Sequence, residues 1–307
     1  MSVRSDLDHD WRVQSSEPPM PFLGSEALAA GRVTPYQLRT IHRRLFPDVY
    51  VDAASPVEPR ILVRAALLWA PTGSIVGGLG AALLHRERWF APDSVGREID
   101  IYSVGTPRSA RGVRIRRLAR ELPPDHVVTV GGLRVTSVPR TAVDVARWED
   151  DDDAAIAKID AVCNRGRTDV AVVGAVAEQM VGVHGVGRVR ALLGSCDRRS
   201  DSPPETRIRL LLVRAGLPAA TPQLVIRNEF GVKIATADLG YEKQRVAIFY
   251  DSELHRRKSD WEFDAWVNAQ LAELGWLPIR ITAQMLRSPL MVIRQIRAAL
   301  TRHSRPT

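Results

Sequence analysis

The order of apolar segments after residue 201 constrains the fold of this chain more than any other feature of the sequence. A helical segment, PETRIRLLLVRAGL, precedes three strand-like segments, PQLVIRNE, VKIATADLGY and QRVAIFYD. The amphipathic segment SDWEFDAWVNAQLAELGW ends at Gly275, and it is followed by the strand-like LPIRIT and by the basic helix LMVIRQIRAALTR. Helix, three strands, helix and strand is the order expected of an α/β unit with one crossover connection.

The N-terminal part of the sequence predicts a second set of helices and strands. Ser25 is a candidate cap for a short helix that ends at Gly31. Thr34 is a candidate cap for a second helix, which has Pro35 at its first position, where a missing N–H is tolerated. A short strand or hairpin arm is predicted over residues 45–51. Helix, glycine turn, helix and strand is the outline of a winged helix-turn-helix.

The second of these helices is predicted to carry a basic face. Leu38 and Ile41 are expected to face inward with Leu45, which leaves a polar set outside: Arg39, His42, Arg43 and Arg44. A recognition helix in the major groove needs such groups for phosphates and guanine edges. A solvated basic face with no DNA-binding role is the alternative that the sequence leaves open.

The middle of the chain mixes helices and strands. Residues 60–69 and 74–85 are predicted to be apolar helices, and REIDIYSV, GVRIRRL and HVVTVGGLRVTSV to be strands, with a hairpin turn at Gly131-Gly132. PRTAVDVARW begins another helix, residues 154–193 are predicted to be helical, and GSCDRRSDSPP is interpreted as a linker. The fold class is therefore a multidomain α+β and α/β protein. The predicted domains are a disordered tail, a winged helix-turn-helix, an α/β region, a helical connector with its linker, and a C-terminal α/β domain: residues 1–20, 21–55, 56–148, 149–200 and 201–302.

Charge and cysteine content restrict the class of partner and compartment. Lysine and arginine number 43 against 35 acidic residues, so the net charge is +8. That excess favours a polyanion or an anionic surface, although solubility alone also accounts for it. The most apolar stretch is interrupted by Arg64 and Pro71, so neither a membrane span nor a membrane partner is expected. The first twenty residues lack the apolar core of a secretory signal, and Cys163 and Cys196 have no metal-ligand spacing, so a reduced, cytoplasmic protein is expected.

Acidic residues at strand ends raise the possibility of a metal-dependent site. Asp238 is predicted to end one strand and Asp251 the next, and pairing of the two strands would bring them to one edge. Glu205 could lean over the same edge, and His255 follows after a short turn. Carboxylates are the ligands that Mg²⁺ prefers, and a histidine could act as general base. The simpler interpretation is that charged residues end strands because strands end in solvent.

The C-terminal motifs resemble a known family. SPPETRIRLLLVRAGLP, Asp238-Leu239, FYDSELH, and Asp264 with LAELGWLPIRIT resemble domains related to very-short-patch mismatch-repair endonucleases, over about residues 201–287. The resemblance implies a restriction-endonuclease-like αβββαβ core of the PD-(D/E)xK type. It also implies a Mg²⁺ site at Asp238 and Asp251, with Glu205 and His255 beside it, if the nuclease is active, and no cofactor otherwise.

The sequence departs from that family at positions that matter for catalysis. Phe249 replaces the usual acid, and a phenyl ring cannot bind Mg²⁺. Ser252 replaces a glycine, and the usual basic helix positions are Trp266, Val267 and Asn268. The short-patch endonucleases resemble a variant with phenylalanine in the first position, but they have histidine where Asp251 stands. These departures indicate a degenerate or very weak site.

The N-terminal motifs resemble a second family. EALAAGRVTPYQLRTIHRR, GSIVGGLGAALLH and VTSVPRTAVDVAR resemble AbiEi-type antitoxins of type IV toxin–antitoxin systems, over about residues 21–148. The resemblance implies a winged-helix DNA binder in front of a mixed α/β region. In such antitoxins the first domain represses its own operon and the next counters a nucleotidyltransferase toxin, so DNA and possibly such a toxin are the implied partners.

Two further basic segments are candidates for phosphate contact. Arg114 and Arg116 share one face of a predicted strand within RGVRIRRLAR, and an ordinary half-exposed strand is equally compatible with that alternation. Three basic residues follow His255 directly and would meet a DNA backbone in a nuclease-like fold: Arg256, Arg257 and Lys258. A solvated loop is the alternative. The aromatic Trp266 is expected to lie in the core.

Three functions remain compatible with these features. The first is a DNA-binding protein of antitoxin or transcriptional-regulator type, with a degenerate endonuclease-like C-terminal domain. The second is a Mg²⁺-dependent DNA endonuclease of the very-short-patch-repair type. The third is a protein-interaction module whose positive charge is incidental. The sequence favours the first.

Overall fold

The computed structural model describes residues 20–86, 89, 99–104, 112–251 and 258–303. The chain divides into two compact units, residues 1–69 and 70–307, and both mix helices with antiparallel or mixed sheets. The predicted disordered tail lies outside the described residues except for Met20. No helix in the described part of the chain is both long and apolar enough to cross a membrane.

The first unit is a small sheet with three helices. Its elements are β1 (Phe22–Leu23), α1 (Gly24–Ala29), α2 (Pro35–Thr40), β2 (His42–Phe46), β3 (Val49–Asp52) and α3 (Pro59–Trp69). The three strands are antiparallel in the order β1-β3-β2. The side chains of Leu38, Phe46, Val49 and Val51 are buried. Burial of alternate residues on β3 gives this sheet one apolar face.

The capping prediction for α2 is confirmed, and that for α1 is wrong. Thr34 Oγ1 accepts a hydrogen bond from the Gln37 N–H, and the Gln37 side chain accepts one from the Thr34 N–H, which completes a capping box. Ser25 lies inside α1, whose N-cap is Leu23. The Ser25 N–H and hydroxyl instead donate to the carboxylate of Asp48.

The second helix is shorter than the sequence predicted. Helix α2 ends at Thr40, so His42, Arg43 and Arg44 lie on strand β2 and not on a recognition helix. Ile41, expected in the core, is 51% exposed. Helix α2 is shorter than predicted because the residues after Thr40 form backbone hydrogen bonds with β3, and a longer helix could not make those bonds.

The second unit begins with a five-stranded sheet and a helical layer. Its elements are β4 (Ile75–Val76), α4 (Gly78–Leu84), β5 (Ile99–Ser103), β6 (Val113–Arg117), β7 (Val127–Val130), β8 (Leu133–Thr136), α5 (Val138–Ala146), α6 (Asp152–Gly166), α7 (Val170–Gln179) and α8 (Val186–Leu192). The sheet order is β6-β5-β4-β8-β7. The predicted hairpin turn is confirmed, because Gly131 and Gly132 both have positive φ between β7 and β8. The predicted helix over 74–85 is wrong at its start, where β4 pairs with β5 and β8.

Helices α5, α6, α7 and α8 pack through one apolar cluster. Val143, Ile159, Val173 and Val189 are among its buried members. Both cysteines lie at this layer: Cys163 is buried in the cluster and Cys196 packs against it, and neither forms a disulfide. Burial raises the pKa of the Cys163 thiol to about 12 and also raises the pKa of Cys196.

The rest of the second unit has the order of elements that the sequence predicted. The elements are α9 (Pro203–Arg214), β9 (Thr221–Arg227), β10 (Lys233–Tyr241), β11 (Val246–Asp251), α10 (Lys258–Glu273), β12 (Leu277–Thr282), α11 (Ala283–Leu286) and α12 (Pro289–His303). The sheet order is β12-β11-β10-β9, and α10 is the crossover between the parallel strands β11 and β12. Trp266, expected in the core, is 48% exposed on α10.

Strand β10 contacts two different apolar clusters. Ala235 and Ala237 belong to the cluster that contains Leu271 of α10, whereas Leu239 and Tyr241 belong to the cluster formed with α9 and α12. Residues two apart on a regular strand share a face, so the alternation is interrupted between residues 237 and 239. The residue at the interruption is Asp238.

Candidate functional site

The two acidic strand residues lie close to each other, but not as the sequence placed them. Asp251 is the last residue of β11, as predicted, while Asp238 lies inside β10 and does not end it. Asp238 Oδ2 accepts a hydrogen bond of 2.6 Å from the backbone N–H of Tyr250 on β11. The interrupted alternation of β10 turns this carboxylate toward the neighbouring strand, where it acts as a hydrogen-bond acceptor.

Glu205 joins this site from the first turn of α9. Its Oε1 accepts from the Ser202 hydroxyl at 2.7 Å, and its Oε2 accepts from the Asp201 N–H and from the Gln223 side-chain amide, both at 2.9 Å. Gln223 has a φ of +52°, a left-handed backbone conformation that a residue other than glycine rarely adopts. The charge of Glu205 is one cause of the raised pKa of Asp238, and both side chains are largely buried.

Burial favours the protonated forms of Asp238 and Glu205. Burial, together with the charges of Glu205, Asp201 and Asp251, raises the pKa of Asp238 to about 7, while the hydrogen bond from the Tyr250 N–H acts in the opposite direction. Burial also raises the pKa of Glu205, against the hydrogen bonds from Ser202, Asp201 and Gln223. The structure therefore brings three of the predicted acids into one electrostatically coupled group.

Replacing Asp238 with asparagine is expected to stabilise the protein more at high pH than at low pH. The folded-state pKa near 7 lies above the usual value of 3.8, so the stability given by proton binding is lost as pH rises from about 4 to about 7. Asparagine cannot ionise and can still accept from the Tyr250 N–H. The gain relative to wild type should be about 1–3 kcal/mol larger at pH 8 than at pH 5, measured by urea unfolding with EDTA present. A gain that does not change with pH would show that Asp238 does not titrate in this range.

The described residues around these acids lack the full ligand set of a Mg²⁺ site. Phe249 packs in the apolar cluster with Leu271, so no oxygen ligand stands at the position of the usual second acid. Arg280 on β12 donates to Asp251 Oδ1 at 3.0 Å, and its guanidinium lies 5.6 Å from the Phe249 ring centroid. A cation of the protein itself therefore neutralises Asp251. Among the described residues, no group of three or more histidine, cysteine or acidic side chains is placed to hold a metal ion.

The remaining predicted site residues follow Asp251 in the sequence. His255, Arg256 and Arg257 lie outside the described residues, as does Ser252. Lys258 is the first residue of α10, but its side chain also lies outside what the structure describes. Their predicted roles in catalysis and DNA contact stay predictions.

The basic residues of the first unit differ in exposure. Arg39 is exposed on the last turn of α2, and Arg43 and Arg44 are exposed on β2. Arg43 Nη2 donates to the Ser55 carbonyl at 3.0 Å, which fixes its direction. His42 is half-buried with its ring 5.0 Å from that of Phe22, edge to face, so its predicted place on an outward basic face is wrong.

Sequence reasoning missed a buried ionic network on α5. Asp144 accepts from Arg140 Nε at 2.8 Å and from Arg147 Nε at 2.9 Å, and its side chain is fully buried. Arg140 Nη1 donates to His126 Nδ1 at 3.2 Å, so the proton of this imidazole lies on Nε2, which faces the Gln179 amide oxygen at 2.8 Å. Arg147 also reaches the Tyr102 hydroxyl. The signal was present in PRTAVDVAR, where charged residues at i, i+4 and i+7 share one stripe of an otherwise apolar helix.

Comparison with known proteins gives relatives but no function. Two proteins of Mycobacterium tuberculosis, from strains CDC 1551 / Oshkosh and ATCC 25618 / H37Rv, are each 32% identical to this chain over 164 residues. The match covers 52% of this chain and 58% of each relative, so the chain spans little more than half the length of the curated relatives it matches. Both are described as uncharacterized proteins. No family model matches the chain, and no solved structure matches it.

Proposed function

We propose that the protein is a DNA-binding regulator of antitoxin type, and that its first unit is a winged helix-turn-helix that contacts DNA. The observation that carries this proposal is the order β1-α1-α2-β2-β3 with the sheet order β1-β3-β2. In that arrangement α2 is the helix that enters the major groove, and β2 with β3 is the wing. The exposed arginines lie on those elements: Arg39 on α2, and Arg43 and Arg44 on β2.

The C-terminal sheet contributes backbone affinity or a protein interface in this proposal, without cleaving DNA. The order α9-β9-β10-β11-α10-β12 supports a restriction-endonuclease-like core. The ion pair of Asp251 with Arg280 and the apolar packing of Phe249 support a degenerate site. We place the protein in the cytoplasm, where a regulator would meet its DNA.

Replacing Arg39 or Arg43 with alanine should weaken binding to the DNA upstream of the protein's own gene by about tenfold each, equivalent to about 1.4 kcal/mol. Each arginine is expected to contact a phosphate or a guanine edge, so the loss follows from one missing charged contact. Fluorescence anisotropy with a labelled duplex at 50–200 mM salt measures it. Loss of a phosphate contact should also reduce the slope of log K against log salt by about 1.

Arg60→Ala is the matched control, because Arg60 is exposed on α3 of the same unit, which is not one of the predicted DNA-contacting elements. Its affinity should equal that of wild type. Equal losses for all three variants would indicate a general charge effect, and no binding of wild type to this or any other duplex would remove the proposal.

The alternative function is a Mg²⁺-dependent endonuclease. The coupled acids Asp238, Glu205 and Asp251 favour it, because a divalent cation would relieve their repulsion. Wild type and Asp238→Ala should be compared for nicking of supercoiled plasmid with Mg²⁺ or Mn²⁺. Nicking by wild type alone would establish the endonuclease. No nicking by either protein is the result that our proposal expects. A nucleotidyltransferase encoded in the adjacent reading frame would support the antitoxin role and supply the implied toxin partner.

A further inference from the structure

A cavity of about 550 Å³ in the second unit is lined by an unusual number of arginines. They come from β6, from the segment after it, and from α5 and its end: Arg114, Arg116, Arg117, Arg120, Arg140 and Arg147. We call this cavity the arginine pocket. Its volume falls within the range of about 300–1,000 Å³ that is usual for small-molecule sites.

Among the described residues, the arginines of the arginine pocket outnumber the carboxylates near it. Of the described residues that line it, Glu121 is the one carboxylate. Two further carboxylates stand behind the lining: Asp100, which pairs with Arg116 at 2.7 Å, and Asp144, which pairs with both arginines of α5. Leaving Arg114 aside, five guanidinium groups stand against three carboxylates among the described residues, so this concave surface has an excess of positive charge.

The floor of the pocket offers a preorganised donor. The Arg140 side chain is only 5% exposed, its Nε is held by Asp144, and its Nη1 is held by the His126 ring. Its Nη2 has no hydrogen-bond acceptor among the described residues, although the residue lines the cavity. A ligand oxygen in the pocket could accept a hydrogen bond from this nitrogen without any movement of the Arg140 side chain.

The neighbouring arginines are held in place by aromatic rings. The guanidinium carbons of Arg116 and Arg147 lie 3.9 Å and 4.2 Å from the Trp148 ring centroid, and Trp148 stacks on His184. Such contacts restrict the guanidinium groups before any ligand arrives, which reduces the entropy lost on binding. Arg117 and Arg120 at the rim are exposed.

We infer that the arginine pocket binds a small ligand with two or more phosphate groups. Guanidinium groups match phosphate oxygens in paired hydrogen bonds, and several of them converging on one cavity suit a di- or triphosphate. A nucleic-acid backbone fits less well, because a duplex cannot place its phosphates on the nearly buried Arg140, whereas a small anion can. The inference is independent of the function proposed for the first unit.

The test uses the full-length protein and inorganic triphosphate, titrated by calorimetry at 100 mM salt. Wild type should bind with a dissociation constant below about 100 μM, and triphosphate should raise its melting temperature. The double variant Arg117→Glu/Arg120→Glu should bind at least tenfold more weakly and still fold, because both side chains are exposed. A parallel titration with a nucleoside triphosphate distinguishes a nucleotide ligand from an inorganic polyphosphate. If the nucleoside triphosphate binds more tightly than inorganic triphosphate does, the pocket also contacts the nucleoside.

The matched control is Arg207→Glu/Arg294→Glu, which makes the same change of charge at exposed positions on α9 and α12. It should retain wild-type affinity for triphosphate. The inference fails if wild type shows no binding at 1 mM triphosphate, or if both double variants lose affinity equally. The inference also fails if the Arg117→Glu/Arg120→Glu variant loses its affinity for a DNA duplex but keeps its affinity for triphosphate.

Discussion

Replacing Asp144 with alanine is expected to lower the free energy of unfolding by about 3–5 kcal/mol, one of the two largest effects that we predict for this protein. The Asp144 carboxylate is fully buried and is shared by the Nε atoms of Arg140 and Arg147. Alanine would leave two nearly buried guanidinium groups without their counter-charge, and returning them to water would require α5 to move from the helices it packs against. Urea unfolding followed by circular dichroism measures the loss.

Asp150→Ala is the control, because Asp150 is an exposed aspartate on the segment that follows α5. It should change the free energy of unfolding by less than about 0.5 kcal/mol. Asp144→Asn keeps an oxygen that accepts one of the two hydrogen bonds, so its loss of unfolding free energy should lie between those of Asp144→Ala and Asp150→Ala. If Asp144→Ala lost less than about 1 kcal/mol, the network would be dispensable and the two arginines would have found other partners.

The second large effect is expected for Asp160→Ala, again about 3–5 kcal/mol. Asp160 lies on α6, where its Oδ2 accepts from the Thr206 hydroxyl at 2.9 Å and from Arg209 Nη2 at 2.8 Å, both on α9. Its Oδ1 accepts from the Asp197 N–H at 2.7 Å. Alanine would remove the acceptor of three donors at once, so α6 and α9 would separate more readily.

The double variant Asp160→Ala/Arg209→Met distinguishes an ionic cause from a packing cause. Methionine removes the cation that the alanine leaves unpaired, so about half of the lost stability should return. Thermal unfolding of the wild type, the single variant and the double variant at pH 7.5 gives the comparison. A double variant no more stable than Asp160→Ala would mean that lost packing, and not the unpaired Arg209, causes the effect.

Local signals in the sequence were sufficient for part of the fold. Thr34 followed by Pro35 predicted the start of α2, and the paired glycines at 131 and 132 predicted the β7–β8 hairpin, because both depend on neighbouring residues alone. The order of elements from α9 to β12 was also predicted, since each segment has its own hydrophobic period.

Features that depend on distant contacts could not be predicted in this way. Helix α2 ends at Thr40 because the following residues pair with β3, and neither a glycine nor a proline marks that end. The sequence predicted Asp238 at the end of a strand. The apolar alternation of β10 gives no sign that the strand continues beyond Asp238 and contacts a second apolar cluster there. The arginine pocket was equally hidden. Arg114 and Arg116 were considered as a sheet face, whereas Arg140 and Arg147 reach the pocket from α5 and its C-cap, 24 to 33 residues later in the sequence.

The sequence predicted which residues form the candidate acidic site better than it predicted how those residues interact. Glu205, Asp238 and Asp251 do come together, as the motifs implied. The partner that neutralises Asp251 was not foreseen, because Arg280 lies on a parallel strand that reaches β11 only through a crossover. A carboxylate paired with an arginine and beside a phenyl ring has the surroundings of a structural ion pair, which is why we favour DNA binding over cleavage.

The two thiols of the helical layer have a practical consequence for any solution study. A thiol reacts as its thiolate, and burial keeps both Cys163 and Cys196 protonated at neutral pH. Exposure to air should therefore produce few covalent dimers, and any self-association on a sizing column would have to arise from reversible contacts. A single cysteine introduced on the surface of α2 would react with maleimide dyes far faster than either native thiol, so the wild-type chain is already a suitable background for site-specific labelling.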